Sequence, residues 1–176
     1  MKNALGMIQV YTGDGKGKTT ASLGLAMRAC GHGLKVCMLQ FMKDDPKYGE
    51  VQAAKYLPGF KLIPVGRNDF VNLADPAEID IKLAQDGWEL AKTVIQSGEY
   101  DIVILDEVNV AMACKLLNTQ KVAAFLQEAK GKGTEIVLTG RYAPQAIIDM
   151  ADLVTEMKEI RHPYMQGIEG REGIEY

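Results

Sequence analysis

Thr12-Gly13-Asp14-Gly15-Lys16-Gly17-Lys18-Thr19-Thr20 lies between an apolar run, Gly6-Met7-Ile8-Gln9-Val10-Tyr11, and a helical pattern that begins near Lys18. Strand, glycine-rich loop, lysine, hydroxyl and helix in that order form a cradle for phosphate, so the stretch predicts binding of a nucleoside triphosphate. Gly13, Gly15 and Gly17 let the backbone turn its N–H groups inward, with Asp14 and Lys16 between them. The helix start adds the positive end of its dipole. Lys18 is expected to reach the phosphates as a point charge, while the hydroxyls of Thr19 and Thr20 follow it and Thr19 suits a magnesium ion. One position departs from the general G-x-x-x-x-G-K-[ST] pattern: Thr12 stands where the first glycine belongs.

Working outward, short β-rich runs alternate with longer amphipathic ones, which predicts an α/β fold with a mostly parallel sheet covered by helices. The expected strands are 6–11, 34–41, 60–65, 101–106, 134–139 and 153–160. Ala21 to Ala29 reads as the helix after the loop, ended by Gly31 and Gly33, with His32 as a turn residue. Asp75-Pro76-Ala77-Glu78 reads as the start of a second helix that runs to about Gln96, with Asp75 as its cap. Leu83, Gly87, Leu90 and Val94 would then share its inner face, with Ala84, Ala91 and Ile95 beside it and Trp88 next to that stripe as a core residue.

The strand Asp101-Ile102-Val103-Ile104-Leu105 ends in Asp106-Glu107, a Walker B pattern. In an open parallel sheet ligands lie beyond the carboxyl ends of the strands, so both carboxylates should reach the edge that carries Lys18 and Thr19. Glu107 with Thr19 is the leading magnesium pair and Asp106 the reserve. Thr134-Glu135-Ile136-Val137-Leu138 ends in Thr139-Gly140-Arg141, which brings Arg141 to the same edge as a catalytic phosphate clamp beside Lys18.

At 176 residues the chain is one domain of ordinary size, with 161–176 as a C-terminal tail. Its 47% hydrophobic and 24% charged residues are those of a globular protein. A net charge of −3 and a pI near 5.5 argue against nucleic acid as a partner. Neither a secretory nor a membrane segment is expected, and Cys30, Cys37 and Cys114 form no C-x-x-C pair, so a cytoplasmic location is expected. His32 and His162 have no second ligand at a metal-binding spacing.

Together these segments resemble one family of P-loop proteins of the RecA-like type, the corrinoid adenosyltransferases, which act as ATP:cob(I)alamin or cob(I)yrinic acid a,c-diamide adenosyltransferases. The resemblance runs through the threonine-headed loop, Arg28-Ala29-Cys30-Gly31-His32-Gly33, Gln40-Phe41-Met42-Lys43, Gly49-Glu50, Leu105-Asp106-Glu107, Leu138-Thr139-Gly140-Arg141 and Gly173-Ile174-Glu175-Tyr176. It implies a three-layer α/β/α domain and a homodimer that binds ATP and Mg2+ and receives electrons from a flavoprotein or other reductase. ATP would lie on the loop reversed from its usual sense, with C5′ turned toward the corrinoid. Reduced cobalt attacks that carbon and intact triphosphate leaves. Such a reaction needs position and electrostatics rather than a side-chain base.

The chain departs from better-known relatives in two places. Only a few residues precede its first strand where some relatives carry a long N-terminal helix, and Gly66-Arg67-Asn68-Asp69-Phe70 replaces a Gly-Phe-x-Trp segment. Phe70 is therefore expected either to face the corrin ring or to anchor its loop to the core, and the nine methionines read as core filling, with Met112 and Met165 as candidates to line the corrinoid face. The glycine-bearing stretch Gly167-Ile168-Glu169-Gly170-Arg171-Glu172-Gly173 is expected either to fold over the site or to be mobile. Two other readings fit the phosphate loop: a P-loop ATPase or kinase acting on the γ-phosphate, and a nonenzymatic nucleotide- or corrinoid-binding module.

Overall fold

A computed structural model describes residues 5–67 and 71–175. Along them run β1 (Ile8–Thr12), α1 (Lys18–Gly31), β2 (Val36–Phe41), α2 (Gly49–Ala54), β3 (Phe60–Val65), α3 (Glu78–Ser97), β4 (Ile102–Asp106), α4 (Val108–Ala113), α5 (Thr119–Ala129), β5 (Glu135–Thr139), α6 (Gln145–Met150) and β6 (Leu153–Glu156). The strands form one sheet in the order β3-β2-β4-β5-β1-β6, every pair parallel. β5 intervenes between the loop strand β1 and the Walker B strand β4, as in RecA-like P-loop domains.

Strand side chains alternate between faces, so the central strands sort their apolar residues into two cores. Val36, Met38, Ile102, Ile104 and Val137 point to the side covered by α1 through Ala26 and Ala29. Cys37, Leu39, Phe41, Val103 and Leu105 point to the other side, where α3, α4, α5 and α6 pack. This is the expected three-layer α/β/α domain.

Two elements differ from the sequence expectation. α3 starts at Glu78 with Ala77 rather than Asp75 as its cap, and Asp80, three residues after that cap, accepts the Ala77 N–H at 3.3 Å and takes the role expected of Glu78. Its buried seam is Ala84, Gly87, Trp88, Ala91 and Ile95, while Leu90 is 37% exposed, so Leu90 leaves the expected inner face and Trp88 joins it. Trp88 stacks edge-on against Phe125 of α5, with ring centroids 5.4 Å apart. β6 ends at Glu156 rather than residue 160, since the chain beyond it turns against the phosphate loop. His32 caps α1 as expected.

Candidate active site

The phosphate loop is clamped from both sides. Gly13 adopts φ +95° and Gly17 φ +120°, conformations glycine tolerates and other residues rarely take. A Cβ on Gly13 would lie 2.5 Å from the Met157 carbonyl, so the glycines serve this close approach of backbones as well as any ligand. The Gly15 N–H donates to Met157 O at 2.7 Å, which removes it from the donors expected to face phosphate. Thr12 explains its own departure from the general pattern. Its hydroxyl accepts the Ala143 N–H at 3.3 Å and ties the loop to the segment after β5, a bond glycine could not make.

Asp106, fully buried at the end of β4, gathers four donors. Its Oδ1 accepts Thr19 Oγ1 at 2.8 Å and Thr139 Oγ1 at 2.6 Å, and its Oδ2 accepts Lys43 Nζ at 3.0 Å and Gln40 Nε2 at 3.4 Å. Thr139 in turn accepts the Glu107 N–H at 3.0 Å. The Thr19 hydroxyl is thus bonded to Asp106 rather than to Glu107. Gln40 also donates to Glu50 at 3.1 Å, drawing α2 into the cluster.

Glu107 occupies a different part of the site, in left-handed backbone with φ 61°. Burial raises its pKa, and the neighbouring Asp106 raises it further, against the pull of Lys43, Lys18 and Arg141. Lys18 donates to Gly15 O at 2.7 Å, and its pKa is lowered by burial and by nearby Arg141. Burial also acts to lower the Lys43 pKa, but Asp106 and Glu107 overcome it and the net shift is upward. Arg141 leans back over the loop, Nη2 donating to Asp14 O at 3.3 Å. Met42 and Tyr142, at the exits of β2 and β5, share the left-handed backbone of Glu107. Three strand exits around one site therefore hold a conformation that side-chain-bearing residues seldom adopt.

Two clefts meet here. One of about 530 Å³ is walled by Phe41, Tyr48, Arg67, Val71 and Val110, and the other of about 930 Å³ runs from Gly15 past Leu23 and Met27 to Tyr56. Lys18, Lys43, Glu107 and Arg141 line both. The two clefts adjoin along this charged wall.

Residues 4–176 match the model of the family described as ATP:corrinoid adenosyltransferase BtuR/CobO/CobP. The chain belongs to this family. Similar proteins include a corrinoid adenosyltransferase of a Sinorhizobium species, 37% identical over 97% of this chain and 80% of its own length, and one of Pseudomonas aeruginosa, 33% identical over 97% and 84%. That of Escherichia coli K12 is 34% identical over 97% of this chain and 86% of its own. Among solved structures, the flagellar accessory protein FlaH of Methanocaldococcus jannaschii superposes with a TM-score of 0.60 at 17% identity, covering 86% of this chain and 71% of that one, which shows the shared fold.

Placed against this adenosyltransferase family, the remaining expectations divide. Gly13, Asp14, Gly15, Lys16, Gly17, Lys18, Thr19, Thr20, Asp106, Glu107 and Arg141 come to one edge of the sheet. Met112 does not: it is 3% exposed within the core, so it lines no ligand face. Met165 is 78% exposed. Phe70 falls outside the described residues. His162 Nδ1 accepts the Tyr164 N–H at 3.2 Å, at the start of a 3-10 turn over Pro163–Gln166. The tail beyond it reaches the larger cleft through Gly173, Ile174 and Glu175. Lys43, Gln40 and Thr139 are site residues that motif reasoning did not single out, since the family segments containing them gave no hint that they converge on one carboxylate.

Among the described residues no helix is long and apolar enough to cross a membrane.

Proposed function

We propose that the two clefts divide the reaction of the family between them: the chain transfers the 5′-deoxyadenosyl group of ATP to the reduced cobalt of a corrinoid and releases triphosphate. The shared wall of Lys18, Lys43, Glu107 and Arg141 carries this reading, because it is where a leaving polyanion in one space and a nucleophile in the other would meet. Cobalt(I) donates its electron pair to C5′, the C5′–O bond breaks, and the bonding electrons depart on the triphosphate oxygen. Lys18 and Arg141 face the charge that develops there, and each such preorganised donor is worth about 3–4 kcal/mol of the barrier. Phe70, with Arg67 and Val71 on either side in sequence, is proposed to face the corrin ring. An apolar ring there offers cobalt no donor atom.

Magnesium fits the residues present. Thr19 and Asp106 are hard oxygen donors in direct contact, and the Gln40 side-chain oxygen beside them is buried without a hydrogen-bond partner. These residues would hold the ion, which would neutralise charge on the triphosphate. A homodimer, a flavoprotein or other reductase as electron donor, and a cytoplasmic setting complete the proposal. Sedimentation of the purified chain tests the dimer. Formation of the cobalt–carbon absorption spectrum on adding ATP to chemically reduced corrinoid under anaerobic conditions tests the activity, and ATP consumption without that spectrum would favour an ATPase or kinase instead.

A further inference from the structure

The tail lies against the phosphate loop and brings an anion of its own. Arg171 and Glu175 form a self-contained turn: the Arg171 N–H donates to Glu175 Oε2 at 2.8 Å, its Nε to the same oxygen at 3.1 Å and its Nη2 to Oε1 at 3.1 Å. The Glu175 N–H returns a bond to Arg171 O at 2.9 Å. Arg171 holds the Glu175 carboxyl down to about 2, so it stays ionised throughout the physiological range. The turn meets the loop at one residue. Lys16 Nζ donates to Ile174 O at 3.1 Å and lies 3.6 Å from Glu175 Oε1, and Gly173, Ile174 and Glu175 line the same cleft as Gly15 and Gly17.

We propose that residues 171–175 are a displaceable strap that competes with polyphosphate for Lys16, so that its return helps the triphosphate product to leave. The inference deepens the adenosyltransferase reading, because that reaction leaves a triphosphate with its full charge on the loop. A lysine ammonium is a compact point charge that a polyanion and a carboxylate both seek. The strap's internal bonds let it move as one piece, with Gly170 just before it in sequence. The Lys16–Glu175 pair is partly exposed, so the competition is modest and weakens as salt rises.

Titration calorimetry with inorganic tripolyphosphate tests this on the full chain and its variants. Glu175→Gln is expected to bind roughly two- to fivefold more tightly than the parent protein, the gain shrinking at high ionic strength. A chain ending at Gly170 should bind at least as tightly as Glu175→Gln. In a Lys16→Ala background, Glu175→Gln should change nothing, and Glu172→Gln serves as a charge control with no effect. Unchanged or weaker binding by Glu175→Gln, equal gains from Glu172→Gln, or no tripolyphosphate binding by any variant overturns the strap. Failure of the adenosyltransferase reading looks different: tripolyphosphate binding responds as stated, but ATP and reduced corrinoid give no cobalt–carbon bond.

Discussion

Four donors converge on the Asp106 carboxylate, while Glu107 beside it faces three cations across the two clefts. The sequence shows an acidic pair but not which oxygen meets Thr19, because that depends on the left-handed turn at Glu107, and no local pattern announces it. The loop itself was legible residue by residue. Lys18→Ala should lower adenosylation by on the order of a hundredfold while the circular dichroism and melting curve stay close to the parent's. Near-normal turnover in that folded variant would remove Lys18 from the chemistry. Glu107 yields a second prediction. Its folded pKa lies above the ordinary 4.5, so the folded state holds the proton more tightly than the unfolded chain. That contribution is fully present below the unfolded pKa and lost as pH rises through the folded one. Glu107→Gln cannot ionise, so without metal or nucleotide its Tm should match the parent's near pH 4 and exceed it at pH 7.5. A Tm offset equal at both pH values would contradict the burial argument.

Among the elements, α3 shows what periodicity conveys and what it hides. The 3.6-residue repeat locates the helix, but the buried seam is shifted toward Trp88 because the helix sits close on β3. An added Cβ at Gly87 would lie 2.9 Å from Val65 Cβ and 3.1 Å from its Cγ2. Gly87→Ala should therefore lose about 1–2 kcal/mol in urea unfolding, overpacking of about 1–3 kcal/mol exceeding the helix-propensity gain of up to about 1 kcal/mol. Gly24→Ala in α1 has open space where the methyl would go and should gain roughly 0.5–1 kcal/mol. Equal effects at the two positions would refute the close approach of α3 to the sheet. β6 ends early for a tertiary reason: Met157 donates its N–H to Thr12 O at 2.8 Å and gives its carbonyl to Gly15, so the chain leaves the sheet to hold the loop. The apolar pattern of 153–160 carries no sign of that.

At the scale of the whole molecule, six parallel strands bring the loop, Asp106, Glu107 and Arg141 to one edge, and the exits of β2 and β5 add Lys43 and Thr139. The fold class was readable because alternation of strands and helices fixes it, and the edge was readable because parallel sheets bind at their carboxyl ends. The meeting of two clefts was not, since it arises from segments far apart in sequence. In the proposed reaction triphosphate departs as a leaving group at that junction and is not hydrolysed. Phosphorus-31 NMR of the anaerobic reaction with ATP, magnesium and chemically reduced corrinoid tests it most directly. Inorganic triphosphate should appear in step with the adenosylated corrinoid and without ADP, whereas ADP and orthophosphate with no cobalt–carbon bond would contradict it.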